Sequence, residues 1–354
     1  MSFFMSALAL VSAFVIAYFC VPQVIRLAYR LGAIDKPEKR KVHETDMPRM
    51  GGLAIFVAFL LCVLLGVKVS GPYLGIVIGA VIVFIVGILD DIYQLSAWVK
   101  LGGQIVAAAV AIYFGVVINF VSNPFDGMLS LGYLSIPLTF LWIVGITNAI
   151  NLIDGLDGLA AGVAGIAGLT MGIVAFMQGQ ETTGLIAFIL VASIMGFLPY
   201  NFHPARTFMG DCGSNFLGFV LGCLAVTGVA KSTALISLVI PIVILGIPIF
   251  DTFFAIFRRI YKKTPIFSPD KDHLHHRLLK MGYSHQTTVL IIYAISGFFA
   301  LTAIVLSWFN NPKATVVLAF MLLLIVIGAN RIGMVTGQAK TSLHGRHQSN
   351  ELHS

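Results

Sequence analysis

The chain has 354 residues, of which 58% are hydrophobic and only 10% are charged, and its formal net charge is +7. Soluble domains carry roughly 25% charged residues, so this composition excludes an ordinary water-soluble globular protein. Apolar runs recur along the whole chain, each long enough to cross roughly 30 Å of hydrocarbon as a helix, while the short alternating segments of a membrane β-barrel are absent.

These runs predict an all-α, polytopic integral membrane protein with eleven transmembrane helices. No positive segment precedes the first run, and Arg26 and Arg30 follow it, which favours a retained helix over a cleaved signal peptide. The predicted helices span residues 3–22, 51–69, 72–89, 101–119, 134–152, 159–177, 183–200, 213–230, 233–256, 288–308 and 314–333. We expect a single transmembrane catalytic domain over residues 1–335 and a polar cytoplasmic tail over residues 336–354.

The distribution of Lys and Arg predicts the orientation, because cytoplasmic loops of membrane proteins carry the excess of these residues. With the N-terminus outside, Lys68, Lys231 and Lys313 lie outside, and the remaining 19 of the 22 basic residues lie inside. The C-terminus is then cytoplasmic. Each unusual polar cluster of the sequence falls on the cytoplasmic face, where we therefore expect the active site.

Two adjacent carboxylates, Asp90 and Asp91, end the third predicted helix. One interpretation is a charge pair that simply returns the helix end to water. Two like charges beside hydrocarbon repel each other, however, unless a cation or a proton is shared between them. The pair therefore also indicates metal binding or general-base chemistry.

The segment TNAINLIDGLDGLAAG, residues 147–162, places Asn148, Asn151, Asp154 and Asp157 three residues apart. Steps of three rotate by about 300° on an α-helix, so four such side chains do not line one stripe. A bend at Gly155 and Gly158 would turn them toward a common pocket. Helix capping is the structural alternative, but it would explain one of the four rather than all.

The segment FMGDCGSN places Asp211 between glycines just before the eighth predicted helix. Asp211 suits both a helix N-cap and a ligand for a divalent cation, and these roles are compatible. Phe208 is either a core aromatic or a stacking platform for a planar base. Asp251, in the ninth predicted helix, is an intramembrane acid and hence a candidate functional residue, although a hydrogen bond to a neighbouring helix would also satisfy it.

The last cytoplasmic cluster contains the segment HLHHR, with His273, His275, His276 and Arg277. The pattern has a superficial likeness to a zinc site, but the cysteines lie elsewhere and the other candidate ligands are carboxylates, which suit Mg²⁺ or Mn²⁺ better. Histidines here would donate hydrogen bonds to phosphate oxygens or move protons. The surrounding basic residues are alternatively ordinary positive-inside residues or contacts to anionic lipid head groups.

Together these clusters fit phosphoryl chemistry, in which a metal and cationic side chains neutralise the charge of a diphosphate. The chain has no G-x-x-x-x-G-K-[ST] loop, so a nucleotide would not be held as in P-loop enzymes. The position at the membrane boundary indicates one lipid substrate and one soluble substrate.

The segments GILDD, NAINLIDGLDGLAAG, FMGDCGSNFLGF and HLHHRLLKMG, in this order, resemble those of the polyprenyl-phosphate N-acetylhexosamine-1-phosphate transferases, over about residues 10 to 335. Within the family the chain is most similar to the enzymes that start wall teichoic acid synthesis in Gram-positive bacteria. The resemblance implies transfer of GlcNAc-1-phosphate from UDP-GlcNAc to undecaprenyl phosphate at the plasma membrane, with Mg²⁺, or Mn²⁺, as cofactor. A second copy of this chain is a further candidate partner, and no nucleic acid is expected.

The resemblance also implies residue roles. It matches Asp211 to a magnesium ligand, Phe208 to an aromatic that stacks on uracil, and the acidic pair to activation of the prenyl phosphate. Our full assignment is Asp90, Asp91, His275 and His276 as catalytic residues, Asn148, Asn151, Asp154, Asp157, Phe208, Arg277 and Lys100 as substrate-binding residues, and Asp211, Asp91 and Asp154 as metal ligands.

Two alternatives remain at this point. The translocase of peptidoglycan synthesis transfers phospho-MurNAc-pentapeptide and resembles P-x-H-H-H at the histidine loop, whereas here His273 and Arg277 replace the proline and the third histidine. A transporter would place its coupling carboxylates near the bilayer midplane. The clusters here lie at inner helix ends, which favours an enzyme.

Overall fold

The computed structural model describes residues 3–36, 46–122, 128–229, 239–261, 263 and 272–308. Within these ranges the chain is almost entirely helical. The α-helices are α1 Phe3–Leu31, α2 Gly52–Gly66, α3 Pro72–Tyr93, α4 Ala97–Tyr113, α5 Ser135–Leu152, α6 Leu159–Met177, α7 Glu181–Asn201, α8 Gly210–Leu224, α9 Val239–Ile244, α10 Gly246–Tyr261, α11 Leu274–Lys280 and α12 His285–Trp308. A 3₁₀ turn, Gly132–Leu134, precedes α5, and a π-helical turn, Ala225–Val229, continues α8.

Two short antiparallel hairpins complete the described structure. Strand β1, Ile34–Asp35, pairs with β2, Met47–Pro48, and strand β3, Phe120–Ser122, pairs with β4, Met128–Ser130. The first hairpin joins the end of α1 to the start of α2.

The predicted all-α, polytopic architecture is confirmed. Seven helices of the described residues are long and apolar enough to cross a membrane, and α2 and α4 are shorter apolar helices. Helix α1 extends to Leu31, well beyond the predicted end at residue 22. The helix predicted over 233–256 is wrong as one element, because its described part consists of α9 and α10, separated at Leu245. The predicted helix 314–333 and the tail 336–354 lie outside the described residues.

Helix α8 forms the centre of the bundle. Its most apolar stretch of 18 residues is 94% buried, whereas the corresponding stretch of α1 is 17% buried. Helix α8 packs against α2, α3, α5 and α6. A Cβ at Gly87 of α3 would lie 2.8 Å from the carbonyl oxygen of Asp211, so glycine permits α3 to approach the first turn of α8 closely. This approach brings the acidic end of α3 beside the acidic start of α8.

Short connections bring other helix ends to the same place. Residues 94–96 join α3 to α4, 153–158 join α5 to α6, and 202–209 join α7 to α8. Because consecutive helices are joined by short loops, the C-terminal ends of α3, α5 and α7 lie with the N-terminal ends of α4, α6 and α8. The clusters predicted to meet on one face therefore do share one end of the bundle.

Candidate active site

A lysine lies between two of the predicted carboxylates. The Nζ atom of Lys100, in the first turn of α4, donates to Asp211 Oδ2 at 2.8 Å and to Asp90 Oδ2 at 3.2 Å. The lysine side chain is 28% exposed and the two carboxylates are less so. The structure thus joins α3, α4 and α8 through one ammonium group, which contacts acids 10 and 111 residues away in sequence.

The neighbouring acid, Asp91, has a different set of contacts. Its Oδ1 accepts the backbone N–H of Asp211 at 2.8 Å, and its Oδ2 accepts that of Cys212 at 3.0 Å. A guanidinium nitrogen of Arg49 lies 3.8 Å from Oδ1. Asp91 therefore caps the N-terminus of α8, where free N–H groups and the helix dipole favour a carboxylate. This cap positions Asp211, so of the predicted acidic pair it is Asp90 whose carboxylate faces Lys100.

Glycine is required at position 210 for two reasons. Its φ of +74° lies in the left-handed region, and a Cβ there would lie 2.6 and 2.8 Å from the two carboxylate oxygens of Asp91. The glycine that precedes Asp211 in the sequence therefore lets the Asp91 carboxylate reach the first amides of α8.

Asp154 belongs to the same acidic centre. It lies in the connection 153–158, immediately after α5. Burial, followed by the charges of Asp211 and Asp91, raises the pKa of its carboxyl to about 8. Repulsion by these two acids means that the three carboxylates share one electrostatic environment.

The two predicted asparagines enter a network of amides. The Asn148 amide donates to Gln104 Oε1 at 2.7 Å, and Gln104 donates to Asn215 Oδ1 at 3.0 Å. The Asn215 amide in turn donates to the carbonyl of Asp211 at 2.8 Å. Asn151 joins α8 separately, donating to Ser214 Oγ at 2.8 Å. These contacts fix the end of α5 against α4 and α8.

Asp157 makes a different set of hydrogen bonds, although its charge also raises the pKa of Asp154. Its Oδ2 lies 2.8 Å from His203 Nδ1 and 3.2 Å from the backbone N of Ala205, while its own N–H donates to His285 Nε2 at 3.0 Å. Gly158, with φ +75°, makes the predicted bend that turns the chain this way. Tyr293 adds a hydrogen bond from its hydroxyl to the Gly158 carbonyl at 2.5 Å.

Asp157, His203 and His285 offer ligand atoms that all lie within 4.8 Å of one another. Asp157 Oδ2 pairs with His203 Nδ1, and His285 Nε2 accepts the Asp157 N–H, whereas His285 Nδ1 has no hydrogen-bond partner among the described residues. The two imidazoles stack at 4.4 Å with planes 21° apart. Stacked rings do not direct their lone pairs to one point. We therefore interpret the three residues as a hydrogen-bonded clamp that holds the connection 153–158 against α7 and α12.

An apolar cavity of about 1020 Å³ opens beside this centre. Its walls come from α4, α5, α10 and the start of α11. The lining residues are Leu101, Ile105, Phe140, Leu141, Val144, Gly145, Asn148, Asn151, Leu152, Gly155, Thr252, Ala255, Ile256, Arg259, His273, His275 and His276.

The lining changes character along α5. Phe140 and Val144 come first, and Asn148 and Asn151 follow on successive turns. The eleven helical steps from Phe140 to Asn151 span about 16 Å. The cavity thus has an apolar length and a polar end, and one lining residue of that end, Gly155, immediately follows Asp154 in the chain.

The predicted histidines lie at this polar end. The His275 ring is buried, its Nε2 has no hydrogen-bond partner among the described residues, and a Cβ at Gly155 would lie 2.5 Å from that atom. Burial, and then the neighbouring His276, lower the pKa of His275 to about 3, so this imidazole is neutral at physiological pH. His276 is half-buried, with ring centroids 4.2 Å from those of His275.

Two further predicted residues have structural contacts of their own. Arg277 is buried, and its Nε donates to the carbonyl of Asp272 at 3.0 Å, so the cavity-facing positions of α11 belong to the histidines instead. Phe208 is half-buried, with its N–H bonded to Pro48 O at 2.8 Å and its carbonyl to Gly51 N at 2.9 Å. Its stacking on a base stays a prediction.

Several site residues were not predicted from the sequence. They are Arg49, Gln104, His203, Asn215 and His285, each a polar contact to a predicted residue. Gln104 carried a usable signal, because an amide inside an apolar helix requires a partner. The others lie in polar segments, where their residue types are ordinary.

The donor set suits a hard divalent cation. Asp90, Asp154 and Asp211 supply carboxylate oxygens, the ligands that Mg²⁺ and Mn²⁺ prefer, and the described cysteines near the site do not join them. The Lys100 ammonium, held between Asp90 and Asp211, is itself a cation at this place. The residues present therefore fit a metal ion of this class.

Comparisons with known proteins agree with this chemistry. Residues 73–229 match glycosyl transferase family 4. The chain is 48% identical, over 93% of its length and 92% of the relative, to a probable undecaprenyl-phosphate N-acetylglucosaminyl 1-phosphate transferase of Bacillus subtilis. It is 38% identical, over 87% and 85% of the two chains, to decaprenyl-phosphate N-acetylglucosaminephosphotransferase of Mycobacterium leprae. It is 26% identical, over 76% and 75%, to undecaprenyl-phosphate alpha-N-acetylglucosaminyl 1-phosphate transferase of Escherichia coli.

Proposed function

Because the chain belongs to glycosyl transferase family 4, we propose that it transfers N-acetylglucosamine-1-phosphate from UDP-N-acetylglucosamine to undecaprenyl phosphate. The products are undecaprenyl-diphosphate-N-acetylglucosamine and UMP. The observation that carries the proposal is the position of a lysine-bridged carboxylate centre beside the polar end of an apolar cavity of about 1020 Å³. Such a site suits a phosphorylated lipid and a soluble nucleotide sugar together.

The cavity is the proposed site of the lipid acceptor. A prenyl chain has no hydrogen-bonding groups, so the walls formed by Phe140, Leu141 and Val144 suit it. Its phosphate would lie at the other end, where Arg259 and the histidines line the cavity. These groups can neutralise and orient a phosphate monoester.

The proposed donor site lies at the carboxylate centre. We propose that Asn151 and the connection 153–158 contact the nucleotide and that Phe208 stacks on its uracil ring. The clamp formed by Asp157, His203 and His285 would keep this connection in place. Asp157 then acts on the donor indirectly rather than by contact.

We further propose that the enzyme depends on Mg²⁺, or on Mn²⁺, held by Asp211 and Asp154. When bound, the metal supplies positive charge that stabilises the diphosphate oxygens. The cap made by Asp91 would hold Asp211 in place for this role. Lys100, already bonded to Asp90 and Asp211, would neutralise charge on the departing phosphate.

The proposed reaction is one direct displacement. An oxygen of the acceptor phosphate attacks the β-phosphorus of the donor, and the bond from that phosphorus to the oxygen bridging to UMP breaks, so UMP leaves with the electron pair. A phosphate monoester is already a competent nucleophile near neutral pH. Asp90 therefore needs only to take a residual proton or to hold the attacking oxygen in line.

The membrane setting completes the proposal. We propose eleven transmembrane helices with the N-terminus outside and the C-terminus in the cytoplasm, in the plasma membrane of a bacterium. The lipid product would be the first membrane intermediate of a cell-surface polymer, with wall teichoic acid as the proposed polymer. A homodimer is the proposed assembly.

The test uses purified protein in detergent with undecaprenyl phosphate, Mg²⁺ and radiolabelled UDP-N-acetylglucosamine. Label should enter the lipid phase, one UMP should appear for each sugar phosphate transferred, and EDTA should stop both. Replacing Asp211 with Asn should lower the rate by roughly 100-fold or more, the usual effect of removing a group that stabilises transition-state charge.

A matched control is Glu181→Gln, which changes a carboxylate in the first turn of α7, at the opposite end of that helix from the site. It should retain the rate of the unchanged protein. Transfer from UDP-MurNAc-pentapeptide instead would assign the protein to the peptidoglycan branch. No transfer from either donor by folded protein would refute the proposed reaction.

A further inference from the structure

A buried carboxylate on α10 contacts the segment that carries the histidines. Asp251 is 2% exposed, and its Oδ2 lies 2.7 Å from Nδ1 of His273, which is 5% exposed. Its other oxygen, Oδ1, accepts the backbone N–H of Leu274 at 2.8 Å. One side chain of α10 thus fixes both the imidazole before α11 and the first amide of α11.

This pairing determines which atom of His273 is available. A carboxylate accepts hydrogen bonds, so Nδ1 carries a proton and Nε2 is the ring nitrogen left for another partner. His273 lines the cavity together with Asn148, Asn151 and His276. The described contacts therefore place a histidine of defined tautomer at the polar end of the cavity.

The neighbouring histidines have different surroundings. The rings of His273 and His275 are parallel within 3° at a centroid distance of 6.0 Å, and His276 lies 6.5 Å from His273. His275 is pressed against Gly155. Of these three histidines, His273 is the one whose ring is hydrogen-bonded to the Asp251 carboxylate.

We propose that Asp251 is a positioning residue, which holds His273 so that its Nε2 contacts the phosphate of the lipid acceptor. The inference rests on the proposed function and extends it to Asp251 and to one nitrogen of His273. In the imidazolium form both ring nitrogens donate, one to Asp251 and the other to the phosphate oxygen.

Replacing Asp251 with Asn separates this role from simple packing. The Asn carbonyl can still accept the Leu274 amide, but its NH₂ group would face His273 Nδ1 and favour the tautomer with the proton on Nε2. Affinity for the acceptor should fall roughly 10- to 100-fold, as expected for loss of a charge-assisted hydrogen bond. Asp251→Glu, which restores the carboxylate, should recover part of the loss.

The experiment measures binding of heptaprenyl phosphate to the full-length protein in detergent, together with the KM values for both substrates. Asp251→Asn should raise the acceptor KM and leave the donor KM unchanged. Asp272→Asn is the matched control, because this acid of the same segment pairs with Lys280 at the surface and should leave both values unchanged.

A double-mutant cycle tests whether Asp251 acts through His273. His273→Gln, Asp251→Asn and the double variant should weaken acceptor binding to the same extent; multiplied effects would overturn the inference. His273→Gln alone also decides the case if Asp251→Asn does not fold. Absence of transfer by the unchanged protein would refute the proposed function. This inference would be overturned if folded Asp251→Asn bound heptaprenyl phosphate as tightly as the unchanged protein, or if the unchanged protein did not bind heptaprenyl phosphate.

Discussion

Replacing Lys100 with Met tests whether the carboxylate centre is built to hold a cation. The Lys100 ammonium lies 2.8 Å from Asp211 Oδ2 and 3.2 Å from Asp90 Oδ2. At an effective dielectric constant near 20, the two contacts are worth about 6 and about 5 kcal/mol before desolvation is subtracted. Removing one partner from a buried ionic group typically costs about 3–5 kcal/mol. Because the lysine side chain is 28% exposed, we take the lower end, about 3 kcal/mol without divalent cations.

Thermal unfolding in detergent measures this cost. An unfolding entropy of roughly 2.1 cal/mol/K per residue converts ~3 kcal/mol into a fall in Tm of about 4 °C for a chain of 354 residues. Mg²⁺ should then raise the Tm of the variant more than that of the unchanged protein, because the metal no longer competes with an ammonium group for Asp211. Transfer activity should fall, since in the proposed reaction this ammonium group neutralises charge on the departing phosphate.

Lys68→Met is the control, because Lys68 is exposed in the connection between α2 and α3. It should change neither the Tm in EDTA nor the response to Mg²⁺. If Mg²⁺ stabilises Lys100→Met by the same amount as the unchanged protein, or by less, these carboxylates do not form a cation site.

Three further results are expected. Gly210→Ala should abolish transfer and lower Tm, because a Cβ would meet the backbone carbonyl of Arg49 and the cap of α8; a fully active alanine variant would contradict this geometry. Gly145→Phe should raise the acceptor KM about tenfold or more at unchanged Tm, because a Cβ at this position of the cavity wall meets open space. Gly102→Phe, also in open space but outside the cavity lining, should leave the acceptor KM unchanged. Equal KM values for the two variants would count against the acceptor site. The pKa of His275 is about 3 in the folded protein and near 6.5 in the unfolded chain, so stability is unaffected by this group above pH 6.5 and falls below it, by at most about 1.4 kcal/mol per pH unit. His275→Gln should therefore make Tm less dependent on pH between pH 6.5 and 5. An unchanged pH dependence would refute a neutral, buried His275.

The sequence by itself determined that the chain folds in a membrane, its fold class and the chemical class of the site. A chain with 58% hydrophobic residues in long runs forms membrane helices regardless of packing detail, because backbone groups in lipid must be satisfied within each helix. Acidic residues beside hydrocarbon are costly, so Asp90 and Asp91 stood out, while the spacing of three residues and the flanking glycines marked Asp154, Asp157 and Asp211. The bend at Gly158 could also be predicted, because glycine there permits the positive φ that the bend requires.

Only the tertiary structure decided which acid does what. Asp90 and Asp91 are neighbours in sequence and identical in type, yet one faces Lys100 and the other caps α8. Adjacent residues on a helix point about 100° apart, so their partners depend on which helices pack on each side. Asp157 likewise follows the spacing of the site but bonds to His203.

The same reason explains Gln104 and the pairing of Asp251 with His273, whose partners lie on other helices or across a connection. Hydropathy and spacing report what one segment prefers to contact, polar or apolar. The identity of a partner 22 or 111 residues away is set by the packing of the whole bundle, which a single segment does not encode.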